Sequence, residues 1–438
     1  MTEENGTRDL FSALPAELSE MILTYLPAED LASAGAVSKS WFRIANSEFL
    51  WKNVCSRDRI LEEKLIDDFF DKVEEQRCRW ARLYQYTQRR SKRWKSDKYR
   101  SINTPKILTA FVHGVTLLVG TNDGVGVHCI EGSHLVVVQH LKTGIPTTSI
   151  TAVGDTLVCG DGTFSFVYTL KGRTYQLEST LSPPDDLVLT GPPVITEKKS
   201  EGVSLNVFVI TDDFIWIGVS ECNVMTCCKV FDRAGKSFSN VTLHDLVTVR
   251  HNRSYVSVLR PCGVQVYSDS GLLAFKLDSC AFYTGLVMSE MGIAFLQCQD
   301  FGDPEPVFFD LHRKTCSVEN RFKVYKLALF EDNLLYLTGQ VKFTMVSLKA
   351  DKTRWVTPLA GSKYLRPGKD RFHVLCRKFV FICPSRGRLD MFSLFDLETG
   401  VNFYDTSIYT ATYNILQVAD TGFLYKSDKS AVKLRSYI

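Results

Sequence analysis

The sequence predicts a multidomain chain of α plus all-β class, in which a helical N-terminal segment and a helical linker precede a β-propeller of about eight blades. Two observations carry that reading. Up to about residue 98 the apolar residues recur at three- and four-residue spacing, the period of a helix face. From Pro105 onward, short apolar runs alternate with turn residues and come in pairs, and the pairs repeat at roughly 40 to 50 residues, the length of a four-stranded blade.

A chain of 438 residues accommodates two or three domains. With 45% hydrophobic and 23% charged residues it has the composition of a globular protein rather than a disordered one. No apolar run reaches the roughly 18 residues that span a bilayer, and Met1–Gly6 has neither the basic nor the apolar part of a signal peptide. The expected location is the cytoplasm, with the nucleus also open, and no membrane partner is expected. The thirteen cysteines are scattered and sit mostly inside apolar runs, as at Cys159 and Cys383, so they read as small buried hydrophobes in a reducing compartment. On that view the sequons at Asn5, Asn240 and Asn252 are chance matches. The net charge of +3 conceals an asymmetry: residues 1–76 carry 8 Lys/Arg against 16 Asp/Glu, and residues 77–100 carry 10 against 1.

Residues 1–9 are expected to be disordered. Next come Leu14-Pro15-Ala16-Glu17-Leu18, Ile22-Leu23, Leu26-Pro27, Asp30-Leu31, Val37-Ser38-Lys39-Ser40-Trp41 and Leu50-Trp51-Lys52. Pro15 suits the first turn of a helix, where its missing N–H is no loss, and Glu17 in the same turn favours the helix dipole. Leu14, Leu18, Ile22 and Tyr25/Leu26 then fall on one stripe. Pro27 starts a second short helix, and Leu31, Ala34 and Val37 continue an apolar face toward Trp41 and Phe42. Three short helices make a thin core, and cores of this size seldom hold alone. The apolar surface therefore calls for a partner, or for packing against the rest of the same chain.

In order and spacing these residues resemble the F-box, the helical module that docks onto the Skp adaptor of a cullin-RING ubiquitin ligase, over residues 10–55. The resemblance implies that Leu14, Pro15, Leu18, Ile22, Leu23, Leu26, Leu31, Val37 and Trp41 line the adaptor-facing helices, and that a cullin and a RING subunit follow through the adaptor. Ser38 stands where many members carry Cys. Residues 56–98 are read as a basic helical linker: Leu61, Leu65, Ile66, Phe69, Phe70 and Val73 keep helical spacing without Gly or Pro, and Trp80 and Trp94 sit within the basic run. This stretch resembles the stiff connector of F-box proteins that carry a WD-repeat domain.

Residues 99–438 form the expected WD-like propeller. Strand pairs begin at Leu117, Leu157, Val207, Tyr255, Ile293, Leu334, Phe379 and Gly422, and turn signals such as Asn122-Asp123-Gly124 and Glu398-Thr399-Gly400 fall where hairpins need them. No blade carries the Trp-Asp pair of WD repeats; Phe231-Asp232, Phe309-Asp310 and Phe395-Asp396 are the nearest echoes. Seven blades with an insertion around Ser182–Ser200, or two stacked β-sandwiches, also fit the spacing. The last unit runs out of residues for its outermost strand, while Tyr99–Thr104 have no other role. An open sheet edge is costly, so Arg100–Asn103 is expected to pair with Val432–Tyr437 and close the ring.

Motifs for catalysis are absent from the sequence. There is no GxSxG, HExxH or P-loop, and Gly120, Gly124 and Gly126 lie in a hairpin. Cys222, Cys227 and Cys228 lack the remaining ligands of a zinc site. His128, His134 and His140 alternate with strand residues, and the pairs Asp185-Asp186 and Asp212-Asp213 sit in expected turns. No catalytic, metal or cofactor site is expected, and no substrate-binding residue is legible. The basic run at Arg77–Arg100 reads chiefly as a solvated helix face whose stems cover apolar surface, with nuclear import next and nucleic acid unlikely. The resemblance implies a non-catalytic substrate receptor of a Skp–cullin–F-box ligase that holds a protein substrate on the propeller. The alternative is a scaffold that keeps the adaptor contact but stabilises or localises its partner.

Overall fold

The computed structural model describes residues 14–58, 60, 78–104 and, from 107 to 437, all but 132–133, 173, 182–202, 222–223, 243–247, 253, 262, 279–281, 299–303, 314, 319–323, 332, 339–341, 349–351, 359–370, 376–377, 384–389, 409–413, 420–421 and 427–431. The chain divides into two compact units, Met1–Trp94 and Lys95–Ile438.

Five helices are described in the N-terminal part: α1 (Ala16–Leu23), α2 (Ala28–Ala34), α3 (Lys39–Ala45), α4 (Glu48–Arg57) and α5 (Arg79–Lys95). Pro15 and Pro27 stand immediately before α1 and α2, where the ring costs no hydrogen bond. Ser38 caps α3, its hydroxyl accepting from the Trp41 N–H at 3.2 Å. A serine at that position therefore has a local task, satisfying a helix N–H that would otherwise lack a partner. Leu23, Leu31, Leu50, Trp51, Val54 and Cys55 form the core, and Trp80, Ala81 and Leu83 of α5 join it. The front of α5 thus packs into the helical unit rather than standing free of it. Polar contacts fasten it there. The Cys78 and Arg79 N–H groups donate to Asn46 Oδ1 (3.3 Å) and Glu48 Oε1 (3.1 Å), and the Tyr84 hydroxyl donates to Asp58 at 2.7 Å. The remaining residues of the helix expected to begin at Ile60, 61–77, lie outside the described residues.

The second unit consists of eight four-stranded antiparallel sheets. Seven are consecutive meanders, spanning residues 109–142, 149–181, 203–242, 248–278, 282–318, 324–358 and 371–408, here blades 1 to 7. This is an eight-bladed propeller, and neither the seven-blade nor the stacked-sandwich arrangement occurs. The first strand of each blade lies innermost, next to the first strand of its neighbour, and the fourth lies outermost. Apolar layers between neighbouring blades make the core. Phe166, Val125 and Leu141 pack between blades 1 and 2, and Phe295, Val264 and Leu259 between blades 4 and 5.

Blade 8 takes three strands from the C-terminal end and its outermost strand from Arg100–Asn103, with Arg100 opposite Ser436 and Asn103 opposite Lys433. The expected closure is present. Ile102, Leu434 and Leu424 are buried with Val112, Leu117 and Val119 of blade 1. The Gln417 side chain bridges the same seam, accepting from the Val112 N–H at 2.6 Å and donating to the Val112 carbonyl at 2.9 Å. At the rim, the Arg435 guanidinium lies 3.4 Å from the Tyr99 ring centroid, and the Tyr437 hydroxyl donates to Asp97 at 2.8 Å.

The three echoes of the Trp-Asp pair occupy one structural position, the end of the third strand of blades 3, 5 and 7. In each the phenylalanine is buried and the aspartate accepts from N–H groups of the next turn. Asp232 takes Lys236, Asp310 takes His312 and Arg313, and Asp396 takes Glu398 and Thr399, at 2.8 to 3.0 Å. A carboxylate here does the work of a turn template.

Candidate functional site

Helix α1 is apolar on two sides, and only one of them is needed for its own core. Leu23 is buried, whereas Leu14, Leu18 and Ile22 are 39%, 46% and 49% exposed, with Met21 and Tyr25 more exposed still. Positions 14, 18, 22 and 25 recur every three or four residues and share a stripe. A helix turns about 100° per residue, so the adjacent Ile22 and Leu23 cannot face the same way. They divide the work between partner and core.

That division sorts the nine residues that the sequence groups on the adaptor-facing helices. Leu14, Pro15, Leu18, Ile22 and Val37 are exposed, Val37 by 65%. Leu26 and Trp41 are half-buried against the core. Leu23 and Leu31, at 2% and 1% exposure, are inside the helical unit. Their contribution is to hold the exposed residues in place. Arg57 of α4 adds to this by donating to the carbonyls of Leu26 (3.1 Å) and Thr24 (3.4 Å), which the end of α1 leaves without helical partners. Met21, Phe42 and Phe49 are also exposed and absent from the sequence-derived set. Met21 could have been found from its place three residues after Leu18.

An apolar stripe of this kind binds by desolvation and performs no proton or electron transfer. In the core of the same helical unit burial pushes the Cys55 thiol up to about 12 and the Cys78 thiol up to about 11. Thiols so placed make poor nucleophiles.

Elsewhere the residues examined for chemistry take structural places. Burial raises the Cys228 thiol, Cys227 is half-buried beside it, and Cys222 lies outside the described residues, as do Asp185 and Asp186. The turn holding Asp212 and Asp213 is templated by Thr211, whose hydroxyl accepts from the Phe214 N–H at 3.0 Å. Asn252 spends its side chain on a turn and on the Ser289 carbonyl of the next blade. His140 lies 3.5 Å from Asp123, and burial, with the nearby His140 second, lowers the His128 pKa. Among the described residues no group of three His, Cys, Asp or Glu side chains could hold a metal ion. In the basic run, Trp80, Leu83, Thr87, Arg90, Ser91 and Trp94 make the buried stripe of α5, while Arg79, Arg89 and Lys92 are exposed. Arg90 is itself buried, 5.4 Å from the Tyr86 ring centroid.

Residues 11–57 match the F-box-like family. Over 65 residues, 15% of this chain, the sequence is 37% identical to the F-box/WD repeat-containing protein 7 of Drosophila melanogaster, of which that stretch represents 5%. Among solved structures, the computationally designed Ika8 protein is similar over 76% of this chain and 98% of its own, with a TM-score of 0.52 and 14% identity, a likeness of fold alone. The chain thus joins an F-box-like domain to an eight-bladed propeller.

Proposed function

We propose that this chain is the substrate-recognition subunit of a Skp–cullin–F-box ubiquitin ligase, with the F-box-like domain on the adaptor and a protein substrate on the propeller. The observation that carries the reading is the exposed stripe Leu14, Leu18, Ile22 with Val37, apolar surface left over after the helical unit has filled its own core. Exposed apolar surface of this kind marks an interface. The chain makes and breaks no bond. It raises the concentration of a substrate lysine near the charged conjugating enzyme, an effect of proximity.

Calorimetric titration of a Skp adaptor against the full chain tests this. Replacing Leu14 and Pro15 together by alanine removes about 2 kcal/mol or more of apolar burial at the interface. The expected result is a tenfold or larger loss of affinity with an unchanged unfolding midpoint, since both residues are exposed. Equal affinity in the double variant overturns the assignment. Ubiquitination of a captured protein in the reconstituted ligase separates a receptor from a scaffold, which would bind without modifying.

A further inference from the structure

Among the described residues, six outermost strands carry a β-bulge, and the residue that bulges is Val138, Glu178, Phe238, Ala274, Arg354 or Phe403. A bulge re-aims the side chain it carries. Of these six blades, only 3 and 7 combine an aromatic bulge residue with a phenylalanine that opens the second strand, Phe214 in one and Phe379 in the other. The positions correspond residue for residue. Phe214 stands opposite Asp232 and Phe379 opposite Asp396, the aspartates of the Phe-Asp turns.

In blade 7 the aromatic pair has an occupant from the β-unit itself. The Phe379 and Phe403 ring centroids are 5.8 Å apart, edge to face, and the Lys95 ammonium stands 5.7 Å from the first and 4.9 Å from the second. At such distances a cation is attracted by the negative face of a ring. In blade 3 the Phe214 and Phe238 centroids are 5.1 Å apart and Phe238 is 58% exposed, yet among the described residues no cation lies over either ring. The surroundings are acidic. Asp212 and Asp213, both exposed, immediately precede Phe214 in its turn. In the adjoining turn Arg233 is engaged by Asp155 at 2.9 Å, which leaves Lys236 against the two aspartates. Next to the pair, the Ser239 hydroxyl donates to the Ser270 carbonyl of blade 4 at 2.8 Å, and the exposed Leu272 and Leu273 follow that contact.

We propose that Phe214 and Phe238 form a docking site for a lysine or arginine side chain of a partner protein, carried on a segment with an apolar residue beside it. The incoming cation does in blade 3 what Lys95 does in blade 7, covering two rings held by the same strand positions. Asp212 and Asp213 select a positive charge, and opposite charges across an interface set which partner is accepted. Leu272 and Leu273 offer apolar ground to the neighbouring residue of the segment. The site is built by blades 3 and 4 alone, so it stands whether or not the helical unit binds an adaptor.

Selection of a phage-displayed library of random short peptides on the full chain tests this. The expected yield is peptides with Lys or Arg next to an apolar residue. In fluorescence polarisation these should bind Phe238→Leu about three- to fivefold more weakly than the wild type, the size of one cation–π contact at an exposed site. That variant keeps apolar area but removes the ring face, and circular dichroism should show its unfolding midpoint in place, as for other exposed substitutions. Replacing the basic residue of the peptide by norleucine, which leaves the protein untouched, should weaken binding as much. Asp212→Asn with Asp213→Asn should lower both the affinity and its dependence on salt. A selection that yields no such peptides overturns the proposal. Peptides that bind Phe238→Leu as tightly as the wild type, or that tolerate norleucine, overturn it equally, since the surface would then be apolar ground without a cation site.

Discussion

Along α1 of the helical unit, Leu14, Leu18, Met21, Ile22 and Tyr25 stay exposed; at the seam of the propeller, Ile102, Leu424 and Leu434 are buried against Leu117 and Val119 of the neighbouring blade. Both regions are rich in apolar side chains, yet one ends in solvent and the other in a closed layer. The difference lies in topology. A ring of blades gives every sheet two neighbours, and borrowing Arg100–Asn103 for the last sheet supplies its missing outer strand. Among the described residues, the short helices fill a small core with one face and leave Leu14, Leu18 and Ile22 of the other exposed. Apolar surface that remains after the core is satisfied is what another molecule can use.

The largest test of that contrast removes the seam. Deleting residues 428–438 takes away Val432–Ser436 and strips Arg100–Asn103 of its partner. The whole β-unit is expected to lose its cooperative unfolding transition in circular dichroism, instead of fraying at one blade. A truncated chain that keeps its midpoint and stays monomeric would show that closure is dispensable.

Next in size is the division between the two faces in the helical unit. Leu31→Ala should cost about 2–5 kcal/mol of stability in chemical denaturation, the usual range for a buried leucine. Leu18→Ala should stay within about 0.5 kcal/mol, as exposed substitutions do. Comparable losses in both would mean that the outward face is also core.

Gln417→Ala sharpens the comparison on the propeller side. It leaves the Val112 N–H and carbonyl without the side-chain amide that bridges the seam. A loss of about 1–3 kcal/mol is expected for partly buried groups left unsatisfied, read from urea denaturation of the β-unit. No loss would mean that water replaces the amide.

The smallest effect is one of pH. The His128 pKa is lowered from its ordinary 6.5 by burial and then by His140, so the unfolded chain takes up a proton more readily than the folded one. The contribution is fully present above about pH 6.5 and declines as pH falls through that value toward the lower folded pKa. His128→Gln should flatten this part of the stability profile, and an unchanged slope would remove His128 as its source.

Much of this architecture was legible because its signals are local or periodic. Leu14-Pro15 and Leu26-Pro27 mark helix starts through the chemistry of proline alone. The eight strand pairs repeat at blade length, and a count of strands at the two ends of the chain was enough to expect the closure between Arg100–Asn103 and Val432–Ser436. What was not legible depended on direction. Ile22 and Leu23 are equally apolar neighbours, and only the packing of α1 on α3 tells which one is left outside. The basic linker gave no sign that Trp80 and Leu83 would enter the core of the preceding helices. Nor did Gln139 and Gln417 look different from any other glutamine until adjacent blades were seen to offer each a backbone N–H and carbonyl.

The sequence by itself determined that the chain has a helical part with surplus apolar surface and a repetitive β part, since periodicity and turn chemistry act between residues a few positions apart. The repeat left seven or eight blades open, and the structure has eight. The tertiary structure alone decided which apolar residues face outward and which polar side chains bridge the blades. Those outcomes depend on contacts between residues tens to hundreds of positions apart, as in the pairing of Gln417 with Val112. No local pattern encodes such contacts.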